Sequence, residues 1–158
     1  MSVTERLAEL GLVLPPVAPP VAAYVPAVRS GDLVFTSGQL PMVDSALTTT
    51  GKVGAQVTPE RAKDLARTCA LNGLAAIDAL VGLDAVVQVV KVVGVVASTA
   101  DVTGQPGVVN GASELLGDVF PGEAGRHARS AVGVAALPLD APVEVELVVA
   151  LDPARIRV

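Results

Sequence analysis

The sequence predicts an α+β protein in which one mixed β-sheet is covered on one face by two main helices. Three observations support this fold class. Some stretches repeat apolar residues at helical spacing, while others are dense in β-branched valine. These stretches follow one another in the order αββ-αβ-αββ. The length of 158 residues is typical of one domain, so we expect residues 1–158 to form a single unit.

The first twenty residues are predicted to form a short helix and a connector. Val3 to Leu10 has helical spacing, Ser2 or Thr4 can cap it, and Gly11 ends it. Residues 15–20 are rich in proline, which favours an extended segment. The opening residues lack an apolar signal core, and no apolar run reaches the length of a membrane span. We therefore expect a soluble cytoplasmic protein.

A hairpin and a loop are predicted next. Val25 to Val28 leads through the turn residues Ser30-Gly31-Asp32 into Leu33 to Ser37, a pattern typical of two antiparallel strands. The segment from Met42 to Val57 is polar and contains glycine and threonine. We interpret it as a loop with at most a short strand.

The strongest helix signal begins at Thr58. Thr58 suits the N-cap and Pro59 suits the first turn, and an apolar stripe then continues until Gly82. Cys69 lies in this stripe, which favours a core position over a nucleophilic one. The following segment, Val86 to Ala97, is dense in valine without clean alternation, which predicts a strand with both faces buried.

The last third of the chain predicts a helix and two strands. The helix covers Pro106 to Val119, and a loop follows at Gly122 to Gly125. The strands cover Ala128 to Ala136 and Val143 to Leu151, with Leu137-Pro138-Leu139-Asp140 between them. Two main helices can cover only one face of the sheet, and soluble monomers rarely expose a large apolar patch. We therefore expect copies of the chain to associate through the other face.

Composition argues against several classes of function. The net charge of −5 and a pI near 4.7 weigh against general nucleic-acid binding, since the one basic cluster is Arg126, His127 and Arg129. One cysteine and one histidine make a disulfide or a protein-built transition-metal site unexpected. No G-x-G-x-x-G or Walker pattern occurs.

Arg129 is a candidate ligand-binding residue. Its strand face is shared with Ala131, Gly133 and Ala135, and such small neighbours leave room beside the guanidinium group. A guanidinium group can pair bidentately with a planar carboxylate. An ordinary salt bridge or a surface position is the alternative.

Glu144 and Glu146 share one face of the final strand. Paired glutamates can orient a water molecule or transfer a proton, with a solvated strand face as the favoured alternative. If this strand adjoins the strand of Arg129, an arginine–glutamate pair is a further alternative.

Three other positions are weaker candidates. His127 is a candidate acid or base, with a structural role at the strand entrance as the favoured alternative. The glycine of Ser37-Gly38-Gln39 exposes backbone amides that can hold an anion or carbonyl, or it simply ends a strand. Asn110 lies early in a predicted helix, where asparagine is an indifferent helix former.

Several segments, in their order along the chain, resemble those of a known family. They are Tyr24-Val25, Phe35-Thr36-Ser37-Gly38-Gln39-Leu40-Pro41, Ala128-Arg129-Ser130, Leu137-Pro138 and Val143-Glu144-Val145-Glu146. Together they resemble the Rid family, also known as YjgF-like and, in older usage, as endoribonuclease L-PSP or translation inhibitor. The resemblance extends from Tyr24 to Ala150.

This resemblance implies a chorismate-mutase-like fold and a homotrimer whose sheets form a central barrel. It also implies ligand sites in the clefts between subunits. The implied activity is that of a 2-iminobutanoate/2-iminopropanoate deaminase-type hydrolase, which converts enamine/imine intermediates such as 2-aminoacrylate to 2-oxo acids and ammonia. No metal or organic cofactor is implied.

Roles follow by motif position from the same resemblance. Arg129 would bind the substrate carboxylate, and Glu144 would position the attacking water. Four further residues would line the cleft: Tyr24, Ser37, Gly38 and Asn110. His127 stands where the family usually has proline or alanine, and at the mouth of the cleft it could alter selectivity.

Other departures indicate a divergent long-form branch. The family usually has Phe-Pro directly before the arginine segment, whereas here Gly122 to His127 separate Phe120-Pro121 from it. Ala131 stands where the family often has cysteine. The N-terminal helix and the proline-rich segment before Tyr24 are additional. Alternative functions are a non-catalytic trimer that binds small carboxylate metabolites and, disfavoured by the acidic charge, an endoribonuclease.

Overall fold

The computed structural model describes residues 1–157, which form three helices and seven strands. The helices are α1 (Val3–Glu9), α2 (Pro59–Val81) and α3 (Gln105–Val119). The strands are β1 (Ala27–Ser30), β2 (Leu33–Thr36), β3 (Met42–Val43), β4 (Ala46–Leu47), β5 (Val86–Ala97), β6 (Ala128–Val134) and β7 (Val143–Leu151). The predicted α+β class with one mixed main sheet is confirmed.

The main sheet has the strand order β1-β2-β7-β5-β6. Only β5 and β6 run parallel, and α3 makes the crossover between them. The other neighbouring strands are antiparallel. As a result β5 separates β6 from β7, and candidate residues on these two strands are not on adjacent strands.

Helix α2 begins and ends at the residues that its local signals predict. The Thr58 hydroxyl accepts a hydrogen bond from the Arg61 amide at 3.2 Å, and Gly82 adopts a φ of 81° at the C-terminal end. Cys69, on the apolar stripe, is completely buried, which confirms its core position. The stripe packs α2 against β7 and α3.

Helix α3 lies very close to its neighbours because glycines stand at the contacts. A Cβ atom at Gly111 would overlap the backbone carbonyl oxygen of Lys63 on α2. On β5, a Cβ atom at Gly94 would overlap the side chain of Val109. These contacts fix the height of α3 above the sheet, and with it the side chains that α3 presents to β6.

One face of the main sheet is covered by α2 and α3, and the other, the open face, carries exposed apolar side chains. Phe35 on β2 and Val132 on β6 are 40% and 49% exposed. Within one chain, therefore, β5 is buried on its helix-covered face only, and the prediction that both faces are buried is not met by a single copy. Burial by further copies stays a prediction.

Strand β5 reaches its length through two irregularities in its pairing with β7. The register shifts between Val86 and Gln88 and again between Val89 and Lys91. The extra residues, Val87 and Val90, are exposed. The shifts explain why the valines of this strand do not alternate cleanly in the sequence.

Several predicted boundaries differ from those observed. Strand β6 ends at Val134 rather than Ala136, and the polar segment after Met42 contains a two-residue hairpin turning through Asp44 and Ser45, both with positive φ. Helix α1 has the predicted Ser2 cap. None of the helices within residues 1–157 is long and apolar enough to cross a membrane.

Candidate functional site

Arg129 lies on β6 and points toward α3. Its register partner on β5 is Val92, which is completely buried under the helices, and paired residues of neighbouring strands share a sheet face. The guanidinium Nη1 donates to Asn110 Oδ1 at 2.7 Å and to Ser113 Oγ at 3.2 Å, and Nη2 donates to the Pro106 carbonyl at 3.3 Å. Arg129 is thus held by side chains and backbone of α3.

All three acceptors of Arg129 are neutral. None of the ion pairs within residues 1–157 includes this arginine, so its charge has no carboxylate partner among these residues. A guanidinium group has five N–H donors, and the three observed bonds leave the Nε–H and one Nη2–H. A carboxylate that approaches side-on uses one Nε and one Nη donor, which is the chemistry predicted for this residue.

His127 is held at both ring nitrogens. Nδ1 lies 2.7 Å from the Gly125 carbonyl oxygen, and Nε2 lies 2.9 Å from Ser113 Oγ. The ring is partly buried, and this fixed position supports the structural interpretation over that of a free acid or base. We call Asn110, Ser113, His127 and Arg129 the arginine half-site.

Ser113 was not identified as a site residue from the sequence. It lies three residues after Asn110, and residues three apart share one face of a helix. The three-residue spacing from Asn110 is the sequence signal that places Ser113 beside it on the helix.

Glu144 lies on the opposite sheet face from Arg129. On β7 it pairs with Val95 of β5, which belongs to the open face, whereas Arg129 pairs with Val92 of the covered face. The two strands are also separated by β5, a distance of about 10 Å across two strand spacings. One chain therefore does not bring the two residues together. The alternative prediction, an arginine–glutamate pair between adjacent strands, is wrong.

The carboxyl group of Glu144 is partly buried and accepts no hydrogen bond from the residues that the structure describes. Burial raises the pKa of this carboxyl above its usual range, and the charge of Glu146 adds to the effect. A Cβ atom at Gly38 would overlap this carboxylate, so the Glu144 side chain fits here only because residue 38 is glycine. The Gly38 amide has no acceptor within residues 1–157.

Ser37 and Tyr24 are the two further predicted site residues near this glycine. The Ser37 hydroxyl donates to the Val25 carbonyl at 2.6 Å, and the Ser37 amide donates to the Pro26 carbonyl at 2.8 Å. Both donors of Ser37 are thus committed to the backbone. Tyr24 lines a shallow cavity that also includes Gly38. We call Tyr24, Ser37, Gly38 and Glu144 the glutamate half-site.

The predicted site residues therefore form two groups rather than one. Asn110, His127 and Arg129 come together on the covered side of β6. Of the other four, Ser37 and Gly38 follow β2, Glu144 lies near the start of β7, and Tyr24 precedes β1 and lines a cavity with Gly38. Within residues 1–157, no group of three or more histidine, cysteine, aspartate or glutamate residues is placed to hold a metal ion.

Comparison with known proteins gives a family match over most of the chain. Residues 4–151 match the family described as "YjgF/chorismate mutase-like, putative endoribonuclease". The chain is 45% identical over 151 residues to Protein TCP17 of Trypanosoma cruzi, covering 95% of this chain and 94% of that protein.

Solved structures of similar proteins share the fold. The protein Atu1372 of Agrobacterium tumefaciens, described as having unknown function, is 44% identical with a TM-score of 0.85, covering 95% of this chain and 92% of its own. TdcF of Escherichia coli, solved with bound serine, is 27% identical with a TM-score of 0.59, covering 86% of this chain and 94% of its own.

Proposed function

Because the chain belongs to the YjgF/chorismate mutase-like family, we propose that it hydrolyses reactive enamine/imine intermediates, such as 2-aminoacrylate, to 2-oxo acids and ammonia. The observation that carries the proposal is the uncompensated guanidinium group of Arg129, held in place by three neutral acceptors. Every substrate of this class carries a carboxylate that can pair with it. The serine bound to TdcF is a carboxylate of similar size.

The site in this proposal is completed by a second copy of the chain. Arg129 and Glu144 lie on opposite faces of one sheet, so a ligand that contacts both needs the two half-sites to come from different subunits. The exposed apolar side chains of the open face support association between copies, because burying them would remove them from water. The proposed number of three subunits follows from the family resemblance.

The proposed chemistry needs only orientation and proton transfer. The enamine tautomerises to the imine, water adds to the C=N carbon, and the resulting carbinolamine expels ammonia to leave a 2-oxo acid. Arg129 holds the carboxylate. Glu144 accepts one proton from the attacking water and passes it to the imine nitrogen, and it then transfers the hydroxyl proton of the carbinolamine to the same nitrogen, which leaves as ammonia. A carboxyl group whose pKa is raised suits this role, because it can both accept and return a proton.

A non-catalytic carboxylate binder is the second candidate. It would use the same arginine half-site, and it differs only in leaving Glu144 without a chemical role. An endoribonuclease is less favoured although the family description includes that activity, because the chain carries a net charge of −5.

Ammonia release from freshly generated 2-aminoacrylate tests the activity. We expect the wild-type chain to accelerate it, Glu144→Gln to lower kcat by about 100-fold with nearly unchanged ligand affinity, and Glu146→Gln to retain most turnover. Wild-type protein that binds pyruvate but does not release ammonia would point to the binder instead.

Sedimentation equilibrium tests the assembly. We expect a mass three times that of the chain at micromolar concentration. Replacing Phe35 or Val132 on the open face with glutamate is expected to yield monomers that lose turnover, because each monomer would hold only separate half-sites. An active monomer would contradict the proposed intersubunit site.

A further inference from the structure

We propose that His127 is a positioning residue that orients the Arg129 guanidinium group through Ser113 and thereby sets how tightly a small carboxylate is held. This inference rests on the proposed ligand role of Arg129 and adds to it a specificity determinant. The carrying observation is a continuous chain of three hydrogen bonds that runs from Arg129 to the Gly125 carbonyl oxygen.

The groups at the two ends determine which atom donates in each of the three hydrogen bonds. An arginine can only donate, so Ser113 Oγ accepts from Nη1 at 3.2 Å. A carbonyl oxygen can only accept, so the Nδ1 that lies 2.7 Å from Gly125 carries a proton. In the neutral ring Nε2 is then an acceptor, and it takes the Ser113 hydroxyl proton at 2.9 Å.

The hydroxyl of Ser113 is fixed by this arrangement. A serine hydroxyl rotates freely unless its proton has an acceptor, and the Nε2 atom of His127 is that acceptor. With the proton committed, a lone pair of Oγ stays directed at Arg129, while Asn110 occupies the other Nη1 donor. The guanidinium plane is therefore set before any ligand arrives, and the Nε–H edge remains for the carboxylate.

The last acceptor in this series of hydrogen bonds, the Gly125 carbonyl oxygen, belongs to tightly packed backbone. Gly125 is buried, and a Cβ atom there would overlap the Phe120 carbonyl oxygen. Phe120 is itself in the core, with 2% of its surface exposed. The inserted segment between Phe120 and Arg129 thus supplies both the histidine and the carbonyl group that holds its ring.

The protonation of the ring nitrogens gives a ligand-free test. The chain contains one histidine, so the imidazole nitrogen signals of untagged protein in long-range ¹H–¹⁵N correlation spectra can be assigned without ambiguity. We expect the neutral ring to carry its proton on Nδ1, and Ser113→Ala to shift the Nε2 signal. A neutral ring protonated on Nε2 would overturn the proposal.

A double-mutant cycle tests the coupling, with pyruvate as the probe and calorimetry as the measurement. Loss of one neutral hydrogen bond predicts that Ser113→Ala and His127→Ala each weaken pyruvate binding by about 3- to 10-fold. In the Ser113→Ala background, His127→Ala is expected to cost less than about 2-fold, because its route to Arg129 is already cut. His127→Gln keeps an acceptor and is expected to stay within about 3-fold of wild type.

Two fully multiplicative effects, or a His127→Ala variant that folds and binds like wild type, would overturn the positioning role. If the His127→Ala variant does not fold, the pyruvate affinities of His127→Gln and Ser113→Ala are compared instead. Wild-type protein that fails to bind pyruvate removes the ligand role on which the inference depends. Coupled pyruvate binding without ammonia release would reject the deaminase while retaining the positioning residue.

Discussion

The arginine half-site and the glutamate half-site differ in how many of their polar groups already have partners inside the chain. Arg129 makes three hydrogen bonds and His127 makes two. At the other half-site the Glu144 carboxylate and the Gly38 amide have no hydrogen-bond partner within residues 1–157. An ordered cation and an unpartnered, partly buried carboxylate suit different tasks, the first holding a ligand and the second changing its protonation state during a reaction.

Removing the arginine is the most severe test of this difference. We expect Arg129→Ala to weaken pyruvate binding by about 2–5 kcal/mol, because it deletes the one charge-assisted contact to the carboxylate. Arg126→Ala is the matched control, since Arg126 is exposed and pairs with Glu123 at 2.9 Å. Equal losses in both variants, measured by calorimetry, would show that general positive charge rather than the ordered guanidinium group binds the ligand.

Filling the space at Gly38 tests the other half-site. A Cβ atom would displace the Glu144 carboxylate, and displacing a catalytic group by about 1 Å can cost about 100-fold in rate. We expect Gly38→Ala to lower kcat by about that factor while Arg129 still binds pyruvate. Gly117→Ala is the control, because nothing lies within 4 Å of the added atom and a helix favours alanine. An equal loss of turnover in the Gly117→Ala control would contradict displacement of the Glu144 carboxylate as the cause.

The pH dependence of stability gives the smallest expected effect. The pKa of Glu144 is raised above its ordinary value of 4.5, so the folded state favours the protonated carboxyl. Its contribution to stability is therefore full below that value and is lost as pH rises through the raised pKa. We expect Glu144→Gln to raise the Tm at about pH 8, with the gain shrinking toward about pH 4.

Glu146→Gln serves as the comparison for that measurement. Burial is the larger cause of the shift and the charge of Glu146 the smaller, so this variant is expected to raise the Tm by less. Thermal unfolding at fixed protein concentration checks both variants. A Glu144→Gln gain that grows toward acidic pH would contradict the assigned direction.

Local signals were sufficient for the elements that carry the site. Thr58, Pro59 and Gly82 predicted α2 to within a residue, and β7 was predicted with its observed bounds, Val143 to Leu151. These features depend on neighbours in sequence, namely capping, proline geometry and alternation. Gly38 at the end of a predicted strand is likewise a local signal, whereas its contact with Glu144 depends on the pairing of distant segments.

The relation between the half-sites depends on pairing between distant strands. Whether β6 adjoins β7 decides if Arg129 can meet Glu144, and no local pattern determines that β5 lies between them. The bulged pairing of β5 likewise depends on its partner β7, which is why its exposed valines were predicted to be buried. Ser113 was missed for a different reason: its role arises only once Arg129 reaches across to α3.

The position of Tyr24 has a practical consequence for studying ligand binding. The chain has one tyrosine, no tryptophan and two phenylalanines, whose emission is much weaker, so Tyr24 dominates its intrinsic fluorescence. Tyr24 lines the same shallow cavity as Gly38, beside the proposed cleft. A ligand that enters there changes the surroundings of the dominant natural fluorophore, so occupancy can be followed by tyrosine emission from the unlabelled protein.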